Sequence, residues 1–146
     1  MATGGVLLLT IVEARLDRDV ETDGTQMDPF VQIVNGKQMM RTKTQDEAGK
    51  TPKWGETVEL DVGNIGNKVT IRVKDENVTD ACLVGETEIK LSAFCVNGGI
   101  EDWWQLSFNG KKAGEIHLIG DWHPSSSDSV AISAAFAPGL QQTMQQ

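Results

Sequence analysis

Two acidic segments of this sequence carry the residues best suited to chemistry. One ends in the motif Asp28-Pro29-Phe30-Val31, and the other runs from Asp75 to Asp80, shortly before Val84-Gly85-Glu86. Carboxylate oxygens suit a hard cation such as calcium, which takes about six to eight oxygen ligands. Loops that are distant in sequence can meet at one end of a β-sandwich. The two segments therefore predict a calcium site formed by two loops.

Apolar runs of strand length recur along the chain, and no segment keeps a helical period for long. Eight strands are expected at residues 6–12, 30–34, 37–44, 56–62, 68–74, 83–90, 102–108 and 114–122. Asn35-Gly36 and Asn109-Gly110 are hairpin turn sequences. Val6–Val12 is apolar enough for a central strand covered on both faces, whereas residues 69–74 alternate between apolar and polar. The pattern predicts an all-β fold, an eight-stranded antiparallel β-sandwich.

Length and charge limit the function classes. The chain of 146 residues has room for one domain with a core. Its net charge of −8 argues against nucleic acid as a partner, because phosphate backbones attract positive surfaces. The same charge disfavours anionic lipid unless bound cations reverse the local field. Two cysteines, Cys82 and Cys95, fit a reducing compartment.

The predicted domain covers residues 1–123, and residues 124–146 form a Ser/Gln-rich tail. Apolar residues are sparse in the tail, so it is expected to be flexible alone and able to order on a protein partner. The first apolar run is too short to span a membrane, which needs about 20 residues. It also lacks the features of a signal peptide. We therefore expect a cytoplasmic protein that can associate peripherally with membranes.

Five motifs in order connect the chain with a known family. They are Asp28-Pro29-Phe30-Val31, Thr42-Lys43-Thr44, Pro52-Lys53-Trp54-Gly55-Glu56, Val73-Lys74-Asp75 and Leu83-Val84-Gly85-Glu86. From about Gly5 to His123 the sequence resembles the C2 domain family of calcium- and lipid-binding modules, and it is similar to small plant elicitor-responsive C2 proteins. One strand precedes the acidic loop and Ala113–Leu118 closes the chain, which resembles the family's type II topology.

The resemblance implies a set of calcium ligands. Asp28 and Asp75 match two of the five carboxylates that the family uses. Asp23 lies one place from a third position, Asn77 replaces a fourth, and Asp80 lies two places from the fifth, which is occupied by Cys82. The alternative is that Asp28 orders its loop through hydrogen bonds to the backbone, as Asp residues before proline do.

A second candidate site is basic. Lys37, Arg41 and Lys43 can share one face of a strand, where the resemblance implies binding of phosphoinositides or protein. The alternative is that these cations protect an exposed strand from aggregation. Met27, near the tip of the first acidic loop, is the candidate apolar contact with lipid.

The sequence offers little for catalysis, since no nucleophile motif or metal-ligand spacing surrounds His117 or His123. Adjacent Trp103 and Trp104 cannot both point inward from a strand, so the outer one is a candidate contact for a protein or for the tail. Two functions stay open. One is a non-catalytic, calcium-responsive module that docks to anionic phospholipid membranes or membrane-associated proteins. The other is a calcium-independent protein-interaction domain within a larger assembly.

Overall fold

The structure, a computed structural model, describes residues 4–125. The strands are β1 (Gly5–Leu16), β2 (Pro29–Asn35), β3 (Gln38–Arg41), β4 (Lys53–Val62), β5 (Lys68–Glu76), β6 (Ala81–Lys90), β7 (Gly99–Phe108) and β8 (Lys111–Pro124). Two short 3-10 helices, Leu91–Phe94 and Val96–Gly98, connect β6 with β7. The eight predicted strands are confirmed.

Strand β3 is shorter than predicted, because its two ends leave the strand conformation. Lys37 belongs to the turn that follows Asn35. At the other end Thr42 is buried, its N–H donates to the Val31 carbonyl at 2.9 Å, and its hydroxyl accepts from the Val31 N–H at 2.9 Å. The side chain of Thr42 therefore ties the end of β3 to the middle of β2.

The strands follow the order β3-β2-β5-β6-β7-β8-β1-β4, and all their pairings are antiparallel. Within the described residues β6 and β7 share the single register pair Glu86–Ser107, so the order divides into two four-stranded layers. Strand β8 lies beside β1, and β4 occupies the other side of β1. No room is left beside β1 for a preceding strand, which confirms the β-sandwich with type II topology.

Arg18 closes the gap between the two layers where β6 and β7 separate. Its Nε donates to the Val84 carbonyl at 2.9 Å, and its Nη2 donates to the Leu83 carbonyl at 3.1 Å. The guanidinium carbon also lies 3.6 Å from the centroid of the Phe108 ring. Arg18 thus bonds two backbone carbonyls of β6 and ties the start of the first acidic loop to that strand.

The core lies between the layers and follows the strand period. In β5, Val69, Ile71 and Val73 are fully buried, as the alternation predicts. Strand β1 is central, and Leu7, Leu9 and Ile11 are fully buried, but Val6, Leu8 and Val12 are only half-buried. The prediction that β1 is covered on both faces is therefore wrong for the described residues, because each antiparallel layer buries one face and exposes the other.

The paired tryptophans point to opposite faces, as predicted. Trp104 packs on Phe94 at a centroid distance of 5.0 Å, against the core. Trp103 lies on the outer face, stacked on the His117 ring at 4.9 Å, with the Arg15 guanidinium 4.3 Å from its centroid. Trp103 is therefore the outward tryptophan.

The end of the domain is fixed by pairing with its beginning. Strand β8 reaches Pro124, and the Ser125 N–H donates to the Gly4 carbonyl at 2.9 Å. From residue 126 onward the predicted tail lies outside the described residues, so its properties stay a prediction. Residues 4–125 contain no helix with the length and apolar character needed to cross a membrane.

Candidate cation-binding site

Three loops meet at one end of the sandwich, which we call the acidic end: residues 17–28, 42–52 and 77–80. Pro29 of β2 is in register with Asp75 of β5. The Glu76 N–H donates to the Asp28 carbonyl at 3.0 Å, and the Asp28 N–H donates to Asp75 Oδ1 at 2.7 Å. The ladder between β2 and β5 therefore places Asp28 and Asp75 side by side.

Asp75 is the buried carboxylate of this end. Its exposed fraction is 0%, and only Thr42 is also a buried polar side chain among the described residues. Asp75 Oδ1 accepts the hydrogen bond from Asp28, but Oδ2 is buried with no hydrogen-bond partner in the described part of the chain. A buried carboxylate oxygen without a donor is costly. A cation beside Asp75 Oδ2 would supply the partner that this oxygen lacks.

Glu21 is the group that faces Asp75. A side-chain hydrogen bond with Asp75 raises the pKa of Glu21 to about 7, and burial and the charges of Asp75 and Asp23 add to the rise. A hydrogen bond with Thr25 opposes it. The carboxyl group of Glu21 therefore titrates near neutral pH because Asp75 lies beside it.

This arrangement predicts a pH-dependent stability. The folded pKa of Glu21 is raised from 4.5, so the folded state binds an additional proton between pH 4.5 and about 7. Without calcium, the melting temperature should therefore fall as the pH rises through this range. Glu21→Gln should reduce that fall and raise the melting temperature above neutral pH. Exposed Glu59→Gln is the control, and equal pH profiles for Glu21→Gln and the wild type would contradict the raised pKa of Glu21.

The other expected ligands are placed differently. Asp28 Oδ1 accepts the Glu47 N–H at 2.6 Å, so this carboxylate orders the loop between β3 and β4. Asp23 is exposed and accepts from the Thr25 hydroxyl at 2.6 Å and the Thr25 N–H at 3.0 Å. These bonds with Thr25 lower the pKa of Asp23. Asp23 therefore acts in the described conformation as the cap of a turn.

The third loop is a tight exposed turn. The Asn77 N–H donates to the Asp80 carbonyl at 2.8 Å, and Asp80 Oδ1 accepts the Ala81 N–H at 2.7 Å. Between residues 4 and 125 no three His, Cys, Asp or Glu side chains form a group that could hold a metal ion. Asp75 and Glu21 fit calcium in donor type and charge, whereas most of the remaining ligands would have to be water or a phosphate.

The predicted apolar lipid contact, Met27, is buried in the structure. Met27 has an exposed fraction of 0% and belongs to the core, so the prediction that it contacts lipid is wrong. An apolar side chain near the end of a loop can either pack into the core or be exposed at the loop tip. The sequence does not distinguish these two positions. Val78, in the turn between Asn77 and Asp80, is fully exposed instead.

The basic residues keep their shared direction although β3 is short. Lys37, Met39, Arg41 and Lys43 are exposed, and the residues between them are half-buried or buried. The three cations therefore lie along one outer edge of the β3-β2-β5-β6 layer. We call them the basic row.

Glu21 is the site residue that the sequence did not reveal. It is one of four acids at alternate positions in the first loop, with Asp17, Asp19 and Asp23. Their spacing cannot decide which one turns toward β5, since loop backbones have no fixed period. Only its proximity to Asp75 identifies it.

An antiparallel sandwich with acidic loops at one end and a basic edge defines a class of small β-sheet binding modules. The family model described as C2 domain matches residues 5–106, so the chain belongs to the C2 domain family. Among curated proteins it is 28% identical to the 16 kDa phloem protein 2 of Arabidopsis thaliana, over 127 residues that cover 86% of each chain.

Solved structures agree with this assignment. A C2 domain-containing protein from an elicitor-responsive gene is 26% identical, with a TM-score of 0.70 and coverage of 88% of this chain and 95% of that one. The calcium-bound C2A and C2B domains of Extended-Synaptotagmin 2 are 25% identical, with a TM-score of 0.69 and coverage of 82% and 46%. The expected similarity to an elicitor-responsive C2 protein is confirmed.

Proposed function

We propose that this C2 domain is a non-catalytic module that docks to anionic phospholipid membranes when a calcium ion binds at the acidic end. The observation that carries the proposal is the buried Asp75 carboxylate, whose Oδ2 has no hydrogen-bond partner in the described residues. A cation supplies what that oxygen lacks. Glu21, whose pKa is raised chiefly by the neighbouring Asp75, is the second ligand.

The chemistry of docking follows from the incomplete ligand set. Calcium neutralises the charge of the two carboxylates, so the acidic end no longer repels anionic lipid. Two protein carboxylates leave most coordination positions to water, and phosphate oxygens of a lipid can replace that water. Binding of calcium and of lipid should therefore strengthen each other.

The surroundings of the site support contact with a membrane. Val78 is fully exposed at the turn that follows Asp75, so an apolar side chain can enter the headgroup region beside the ion. The basic row lies along the neighbouring edge and adds attraction to anionic phosphates. The similarity to a calcium-bound pair of C2 domains supports the same cation.

The second candidate is calcium-independent docking to a membrane-associated protein. Asp28, Asp23 and Asp80 each accept backbone hydrogen bonds, which is how carboxylates act when their role is structural. In that case Trp103, on the outer face, is the candidate contact for the partner protein.

Sedimentation of the full chain with phosphatidylcholine vesicles that contain phosphatidylserine separates the two candidates. Calcium should increase the bound fraction, and the chelator EGTA should reverse the increase. Pure phosphatidylcholine vesicles should bind little protein in either buffer. Equal binding with calcium and with EGTA would overturn the calcium-dependent proposal, and so would calcium titration calorimetry without a signal in the presence of these vesicles.

A further inference from the structure

Arg41, at the end of β3, is held from two sides. Its guanidinium carbon lies 3.7 Å from the centroid of the Phe30 ring, and its Nε donates to the Thr42 carbonyl at 3.1 Å. Its Nη2 donates to Glu76 Oε1 at 2.8 Å and to the Thr44 hydroxyl at 2.7 Å. The guanidinium is thus fixed in position, although about half of the side chain is exposed, at 48%.

Glu76 is held in its contact with Arg41 by a second hydrogen bond. Its Oε1 also accepts a hydrogen bond from the Thr44 hydroxyl. The hydrogen bonds with Arg41 and Thr44 also lower the pKa of Glu76. Glu76 is the last residue of β5 and follows Asp75 directly.

Because Arg41 belongs to the basic row, its contact with Glu76 affects how this row can bind a phosphate. Within the described residues, Arg41 is the one cation of the row that has a carboxylate within ion-pair distance. Its planar fork is better matched to a phosphate than the ammonium groups of Lys37 and Lys43. A phosphate that binds the two terminal nitrogens of the guanidinium would compete with the Glu76 carboxylate for Nη2.

We propose that Glu76 is an internal competitor for the anionic ligand of the basic row, so that a phosphate must displace this carboxylate from Arg41. The proposal rests on the lipid-docking function proposed above. The ion pair is exposed, and such pairs are weak, so the competition lowers affinity without abolishing it. Glu76 therefore sets how much anionic charge a membrane must carry before the basic row engages it.

The test compares three variants in EGTA, so that no effect can arise from a calcium ion at Asp75. Vesicles of phosphatidylcholine with phosphatidylserine are titrated with wild type, Glu76→Gln, Glu88→Gln and the double variant Arg41→Gln/Glu76→Gln. Glu88 is the matched control, because it faces Lys68 at 3.9 Å on the same layer and its change alters the net charge equally. Glu76→Gln should bind about two- to fivefold tighter than wild type.

The gain in vesicle affinity of Glu76→Gln should exceed that of Glu88→Gln. The double variant Arg41→Gln/Glu76→Gln should show no such gain. Equal gains for Glu76→Gln and Glu88→Gln would mean that only net charge matters and would overturn the competition. A gain that persists without Arg41 would overturn it as well. If no variant bound vesicles in EGTA although the wild type bound them with calcium, the competition at the basic row would be overturned. If none bound with calcium either, the proposed docking function itself would fail.

Discussion

Asp75→Asn is expected to abolish calcium-dependent binding to phosphatidylserine vesicles and, in EGTA, to raise the stability of the domain. The loss of binding and the gain of stability have one cause, since the buried charge that holds calcium is unfavourable when no cation is present. The amide oxygen of the new side chain can still accept the Asp28 N–H, and its amide nitrogen can donate toward Glu21. The free energy of unfolding at neutral pH should rise by about 1–3 kcal/mol, the usual cost of an unsatisfied buried polar group.

Asp61→Asn is the matched control for this change. Asp61 is exposed on β4 at the opposite end of the sandwich, and the substitution removes the same charge. Its calcium-dependent binding and its stability in urea should match those of the wild type within small limits. Loss of calcium binding without any gain of stability in Asp75→Asn would contradict a site built on an unsatisfied buried carboxylate.

Arg18→Ala should lower the free energy of unfolding by about 2–4 kcal/mol. Two carbonyls of β6, those of Leu83 and Val84, lose their charged donor, and Phe108 loses the cation above its ring. The first acidic loop also loses its anchor. Urea denaturation monitored by tryptophan fluorescence measures the change as a lower midpoint with an unaltered slope.

Arg15→Ala provides a close comparison for Arg18→Ala. The Arg15 guanidinium also lies over an aromatic ring, Trp103, and reaches Glu115 at 3.7 Å, but its side chain is 65% exposed and its contacts are with side chains. Its replacement should cost about 1 kcal/mol or less. Equal losses for the two arginines would show that the aromatic contact dominates and that the carbonyl bonds of Arg18 contribute little.

The amino-acid sequence by itself determined where the eight strands lie and the buried face of those strands whose residues alternate. The alternation of Val69, Ile71 and Val73 with polar residues fixes one buried face, and this local period does not depend on distant contacts. Motifs such as Asp28-Pro29-Phe30-Val31 likewise placed the start of β2 and the neighbourhood of Asp28 and Asp75. A strand ladder converts such residues into neighbours because register follows from the buried face.

Tertiary structure alone decided which side chains in the loops meet. Glu21 rather than Asp23 turns toward Asp75, Met27 enters the core rather than the solvent, and Arg41 of the basic row is held by Glu76. Loop residues have no repeating geometry, so their directions depend on contacts between segments far apart in sequence. The strands follow from local patterns, whereas the charge balance of the candidate site follows from packing that no local pattern encodes.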